Sequence, residues 1–248
     1  MPIPWPNPFP KPNMNKGKLY LIPSPLGEND PAEVIPAPVL DLLPTLDCFV
    51  VEEVRTARRY LSRAGLKGHI EGLEFHELNE HTAPAEVAPL IRLFDGGRNV
   101  GLISEAGLPA VADPGAQLVA LCHREGIEVV PLVGPSSLML ALMASGLNGQ
   151  SFAFAGYIPA KTEERRAAIR RLEKRSAAEH QTQIIIETPY RNDALLADLA
   201  ATCSGKTLIT IAANITQPDA YIRTFPAARW KEHPVTIGKR PCVFLILA

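Results

Sequence analysis

The sequence predicts an α/β protein built as two α/β domains, and three observations predict it. Two short apolar runs, residues 100–103 and 127–132, each break into a turn of small residues and then into a helical pattern, the alternation of a parallel sheet. The chain has 248 residues, 46% of them apolar, which exceeds one typical domain and suffices for two cores. Asn148-Gly149-Gln150, a polar junction bearing a glycine, separates this block from a second series of strand and helix patterns. The expected division is a proline-rich tail over 1–16, an N-terminal α/β domain over 17–148 and a C-terminal α/β domain over 149–248.

In chain order, prolines at alternate positions from Pro2 to Pro12 forbid helix and favour an extended tail. Residues 18–22 read as a first strand, ending in Pro23-Ser24-Pro25-Leu26-Gly27-Glu28-Asn29. Residues 47–51 read as a second, buried strand from their β-branched and aromatic content. Arg55, Arg58, Arg59 and Arg63 then cluster at helical spacing, either a solvated face or an edge whose guanidinium forks meet phosphate oxygens. Phe75-His76-Glu77-Leu78-Asn79-Glu80-His81 reads as a loop before a helix over 85–94. After the strand at 100–103 comes Ser104-Glu105-Ala106-Gly107-Leu108-Pro109, then Asp113-Pro114-Gly115 and a helix over 116–125. The next helix starts at Pro135, a residue suited to a first helical turn, and closes at Gly146. The second half opens with residues 151–161 and then a basic helix over 163–178, where Arg166, Arg170 and Lys174 share a face. Strands at 183–187, 206–214 and 241–247, with a helix over 192–201, complete the pattern.

Ligands of parallel α/β sheets sit beyond the carboxyl ends of the strands, where glycine turns and helix N-termini offer backbone groups. The turns at 104–109 and 133–137 form such a platform. Its motif resembles the S-D-A-G-x-P…D-P-G signature of the tetrapyrrole-methylase-like S-adenosylmethionine (SAM) methyltransferases, nearest the branch that 2'-O-methylates a cytidine of small-subunit ribosomal RNA. Partial matches continue along the chain. Glu52 and Arg55 match A-E-D-T-R, and His76, Asn79 and Glu80 match L-H-x-H-N-E. Gly156, Pro159 and Lys161 match G-F-L-P-x-K, and Glu187, Pro189 and Arg191 match E-S-P-H-R. Glu28 is inserted in the family's P-x-G-N turn. Leu78 and Tyr190 replace histidines. Where the family has A-R-E-L-T-K, the Arg, Glu and Lys are gone and Thr216 keeps the pattern.

That resemblance implies the tetrapyrrole methylase fold, a cleft between the domains, and SAM held by Pro25, Ser104, Ala106, Gly107, Pro109, Ser136, Ser137, Tyr157 and Ala212. Taking a proton from a weak hydroxyl nucleophile requires a base. The candidates for catalysis are Glu105, Glu80, His76 and Arg55. A homodimer is implied as well, with ribosomal RNA or the small subunit as partner. Two rivals stand beside this reading: methylation of a tetrapyrrole or other small molecule on the same fold, and a non-catalytic RNA- or ribosome-binding relative.

Composition narrows the classes further. With a net charge of -1 the protein is no general polyanion binder, so nucleic-acid contact needs a local basic patch. Cys48, Cys122, Cys203 and Cys242 are far apart and form no CxxC or Cys/His pair, so no metal is expected. The N-terminus has no apolar core of a signal peptide, and no run approaches membrane-spanning length, so a cytoplasmic protein is expected.

Overall fold

The computed structural model describes residues 15–233 and 235–248; the expected tail lies almost wholly outside them. The described chain forms two compact units that divide at Pro135/Ser136.

The first unit carries a five-stranded, all-parallel sheet. Its strands are β1 (Leu19–Ile22), β2 (Cys48–Val51), β3 (Glu74–Glu77), β4 (Val100–Ile103) and β5 (Val129–Pro131), in the order β3-β2-β4-β1-β5. The helices between them are α1 (Pro31–Val34), α2 (Ala37–Leu42), α3 (Val54–Leu61), α4 (Pro84–Val87) and α5 (Ala116–Arg124). β2 shows why the central strands are continuous apolar runs. Cys48 and Val50 enter one buried cluster with Leu118 and Cys122 of α5. Phe49 and Val51 enter the other with Ala57, Tyr60 and Leu61 of α3. Both faces are covered, as a parallel sheet requires. The Phe75–His76 segment, expected as a loop, is strand β3. Its two glutamates mask the pattern, yet its backbone completes the edge of the sheet beside β2.

The second unit starts with α6 (Ser137–Ser145). It continues through β6 (Phe152–Tyr157), α7 (Thr162–Glu179), β7 (Thr182–Ile186), α8 (Asn192–Thr202), β8 (Leu208–Ala213), β9 (Tyr221–Pro226), α9 (Ala227–Glu232) and β10 (Cys242–Leu247). Its sheet runs β6-β7-β10-β8-β9, with β6 and β7 parallel and the other pairs antiparallel. Although α6 precedes the glycine junction at 148–150, it belongs here. Leu138, Ala141 and Leu142 pack on Ile184, Ala212, Val243 and Leu245. Gly146 then ends the helix in the left-handed conformation, φ 71°. The opposite sheet face is covered by α7, α8 and α9, with Trp230 donating to the Ile209 carbonyl at 2.9 Å.

The basic helix α7 is organised by an acid on α8. Asp198 accepts from Arg165 Nε at 2.7 Å and from Arg166 Nε at 2.8 Å, and the Arg165 and Asp198 side chains are each 7% exposed. Arg166 therefore ties α7 to α8 and does not share a free basic face with Arg170 and Lys174. Those two instead border an open groove of about 440 Å³ with Lys206, on a loop held by Glu173, which accepts from Ser204 N and Thr207 Oγ1.

Candidate functional site

Past the carboxyl ends of β1 and β4 the two turns clasp each other. Ser24 N donates to the Gly107 carbonyl at 2.9 Å, Gly107 N donates to the Ser24 carbonyl at 3.1 Å, and Ser24 Oγ donates to the Ser104 carbonyl at 3.2 Å. Tyr60 of α3 buttresses the clasp from below, donating its hydroxyl to the Pro23 carbonyl at 2.9 Å. Gly107 has φ 80°, and a Cβ there would lie 3.2 Å from Leu26 Cδ2. Its glycine is required by the clasp itself. The loop goes on through Ala110 and Ala112, both at φ 64°, a left-handed conformation that costs a non-glycine residue roughly 1–3 kcal/mol. Pro25, Ser104, Ala106, Gly107 and Pro109 are thus brought together on two facing turns.

Carboxylates converge on this turn. Glu52, just past β2, accepts from the Glu105 backbone N–H at 3.2 Å. Its pKa is raised, first by burial and then by the charges of Glu105 and Glu80, against the pull of that hydrogen bond. Asp113 is pushed up to about 6, mainly by burial and next by the Glu52 charge, with the Ser104 hydroxyl facing it opposing the rise. Apart from that approach, the buried Ser104 Oγ has no hydrogen-bond partner among the described residues. Sequence reasoning put Asp113 in a turn motif and Glu52 in a family match, and assigned neither a chemical role; the signal available was the acidic side chain beside the glycine turn.

The remaining expected residues are more scattered. Glu105 is exposed and lines a small cavity of about 50 Å³ with Ser24, Pro25, Thr56 and Tyr60, rimmed by Arg59 and Arg63. That volume takes one end group of a ligand, since whole small-molecule sites run to about 300–1,000 Å³. Glu80 is exposed, its carboxylate 3.6 Å from His81 Nε2. His76 lies within β3 with Nε2 2.7 Å from Glu74 Oε1, so the structure turns it to that neighbour and not to the glycine turn.

The arginine edge is largely occupied. Arg58 pairs with Glu71, and Arg59 and Arg63 both reach Glu28, at 3.9 and 3.2 Å; Arg55 is exposed on α3. The inserted Glu28 thereby neutralises two of the cations expected to meet phosphate. In the second unit Ser136 caps α6, with Oγ accepting from Met139 N at 3.4 Å, and Ser137 is the first helical residue. Tyr157 ends β6, 61% exposed. Ala212 lies within β8, buried in the core between β10 and β9.

A cationic ligand fits the first-unit turn. Two carboxylates whose ionised forms are disfavoured by burial and mutual repulsion would be relieved by a nearby positive charge. SAM carries such charges on its sulfonium and its amino group.

Comparison with known proteins agrees with this architecture. The model of the tetrapyrrole (corrin/porphyrin) methylases matches residues 18–229. A protein of Escherichia coli O157:H7 named ribosomal RNA small subunit methyltransferase I is 31% identical over 203 residues, 82% of this chain and 67% of that one. Its namesake in Pseudomonas aeruginosa is 30% identical over 236 residues, 94% of this chain and 79% of that one. Among solved structures, the methyltransferase CobJ superposes with a TM-score of 0.62 at 17% identity, covering 93% of this chain and 94% of its own. Uroporphyrin-III-C-methyltransferase from Thermus thermophilus superposes with 0.54 at 18%, covering 94% of each.

Proposed function

The chain belongs to the tetrapyrrole (corrin/porphyrin) methylase family and is a SAM-dependent methyltransferase, and from that premise we propose that its acceptor is a ribose 2'-hydroxyl of small-subunit ribosomal RNA, methylated in the cytoplasm. The observation that carries the acceptor is the identity to the ribosomal RNA methyltransferases, sustained over 94% of the chain in one of them, against 17% with CobJ.

SAM supplies a methyl group already activated on a positive sulfur. The clasp of Ser24 and Gly107 holds the turn rigid, so alignment is prepaid in the fold. Glu52, steadied by the Glu105 N–H, would supply negative charge to a bound cation. Asp113 takes the hydroxyl proton: a carboxylate pushed up to about 6 is still ionised at neutral pH yet more basic than an ordinary aspartate. It replaces Glu105, Glu80 and His76 as the proposed base.

Label from methyl-tritiated SAM is expected in small-subunit RNA and, after digestion, in a ribose-methylated nucleoside. Label that enters only a tetrapyrrole pool overturns the acceptor, and tight SAM binding with no transfer to either pool overturns the activity.

For the RNA backbone, the cations that line the open groove of the second unit are Arg170, Lys174 and Lys206. Lys174→Ala with Lys206→Ala is expected to weaken RNA binding and to flatten its salt dependence, with SAM affinity intact. The slope should fall by about 0.7 for each single-stranded phosphate that is no longer neutralised. An unchanged slope would return this groove to a solvated face.

The homodimer is proposed on the apolar edge strand. Phe152, Phe154 and Tyr157 of β6 and Met143 of α6 are between 40% and 77% exposed, unusual for side chains of this size, and among the described residues β6 pairs on one side only. Sedimentation is expected to give twice the chain mass, and Phe154→Lys to give the single-chain mass. A wild-type monomer at micromolar concentration rejects it.

A further inference from the structure

We propose that Cys48, Glu74 and His76 form a mononuclear site for a divalent transition metal, zinc by its ligand chemistry, that clips strand β3 to strand β2. Neither the acceptor reading nor the SAM site enters the argument.

The grouping comes from register. β2 and β3 run parallel with Cys48 opposite Glu74 and Val50 opposite His76. Alternate residues of a strand share a face, so the Cys48, Glu74 and His76 side chains leave the sheet on the same side. The thiol, one carboxylate oxygen and one imidazole nitrogen all lie within 4.8 Å of one another, the one such trio among the described residues. A tetrahedral zinc ion with bonds of about 2.0–2.3 Å spaces its ligand atoms roughly 3.3–3.8 Å apart, within reach of small side-chain rotations. The linear sequence hides the trio, because the cysteine and the histidine stand on different strands.

The surroundings are those of a supported site. Arg98 donates to Glu74 Oε2 at 2.5 Å and to Asp47 Oδ1 at 2.9 Å, so one oxygen of Glu74 is held in place while Oε1 faces His76 Nε2 at 2.7 Å. The ion replaces that His76–Glu74 hydrogen bond and leaves the Arg98 bond as its outer support. Charge then balances. Asp47, Glu74 and Arg98 sum to one negative charge; a divalent ion with a Cys48 thiolate brings the whole to neutrality. Binding forms metal–sulfur, metal–nitrogen and metal–oxygen bonds and releases the Cys48 proton to solvent. Because that proton must leave, affinity rises with pH. Glu74 is exposed and His76 half-buried, which leaves the fourth position to water. A mixed sulfur, nitrogen and oxygen set suits zinc and disfavours magnesium and calcium. Beyond their carboxyl ends β2 leads to Glu52 and β3 to the loop of Glu80, so the clip steadies the strands that carry both acids.

The test uses the full chain, stripped with chelator and dialysed against cobalt(II) as a spectroscopic stand-in, then zinc. One cobalt per chain is expected, with a near-ultraviolet thiolate-to-cobalt charge-transfer band and the intense visible bands of tetrahedral cobalt, both bleached by zinc. Cys48→Ser should remove the charge-transfer band, and His76→Gln should weaken binding by about tenfold or more. Because Cys48 lies in the core, His76→Gln on the edge strand keeps the test decisive if the serine variant does not fold, as far-ultraviolet circular dichroism will show. Three results overturn the site: no saturable binding of either metal at micromolar concentration, a charge-transfer band that survives in folded Cys48→Ser, or equal affinity in His76→Gln.

Discussion

Asp113→Asn is expected to lower methyl-transfer turnover by about 10²–10⁴-fold, the range for loss of a general base, while the protein stays folded. Wild-type turnover should rise with pH through about 6 as Asp113 ionises, and the variant should lose that limb. A stability measurement separates this from a structural effect. The folded pKa of Asp113 is raised above that of an unfolded aspartate, so the native state holds the extra proton, and stability falls as pH rises from about 4 to about 6. The asparagine variant escapes that loss and should melt no lower than wild type at neutral pH. A pH–rate profile identical in both proteins would remove Asp113 from the chemistry and return the role to Glu105 or Glu80.

Asp198→Ala is expected to destabilise the second unit by about 3–5 kcal/mol, because it strands the buried Arg165 cation and frees Arg166. Denaturant unfolding measures it, and a loss under about 1 kcal/mol would mean that water reaches the site. Replacing Arg165 and Asp198 together by leucine should restore most of the loss, since the cost lies in the unpaired charge and not in the missing pair.

What could be read from the sequence was whatever depends on neighbours in the chain. The apolar runs that became β1, β2, β4, β7, β8 and β10 announced themselves, as did the Gly107 turn and the Gly146 stop. β9 gave no such signal: Tyr221–Pro226 is half-buried, carries an arginine and ends in proline, and only its antiparallel pairing with β8 makes it a strand. The place of α6 is hidden for a related reason. A glycine junction is visible in sequence, but which sheet a helix packs on is decided by Leu138 and Leu142 meeting Val243 and Leu245, a hundred residues away.

Charge was the least legible layer. Glu28 looks like an interruption of a turn, and folded it becomes the partner of Arg63, 35 residues on. Arg165 and Arg166 look like part of a basic surface, and folded they hold Asp198. In each case the pairing is set by long-range packing, so counting cations along the chain overstates what is left for a polyanion.

The strand order of the first unit has a consequence for synthesis. β1 lies between β4 and β5, so among the described residues it has no sheet neighbour until residue 100 has been made. For that interval Leu19–Ile22 is an apolar segment with both edges open, which makes it a natural client for chaperones. β2 and β3, adjacent in sequence and in space, can pair meanwhile. The ligand turn, whose clasp joins Ser24 to Gly107, forms only once β4 has slid in between β1 and β2. A nascent chain stalled before that point therefore lacks the Ser24–Gly107 clasp.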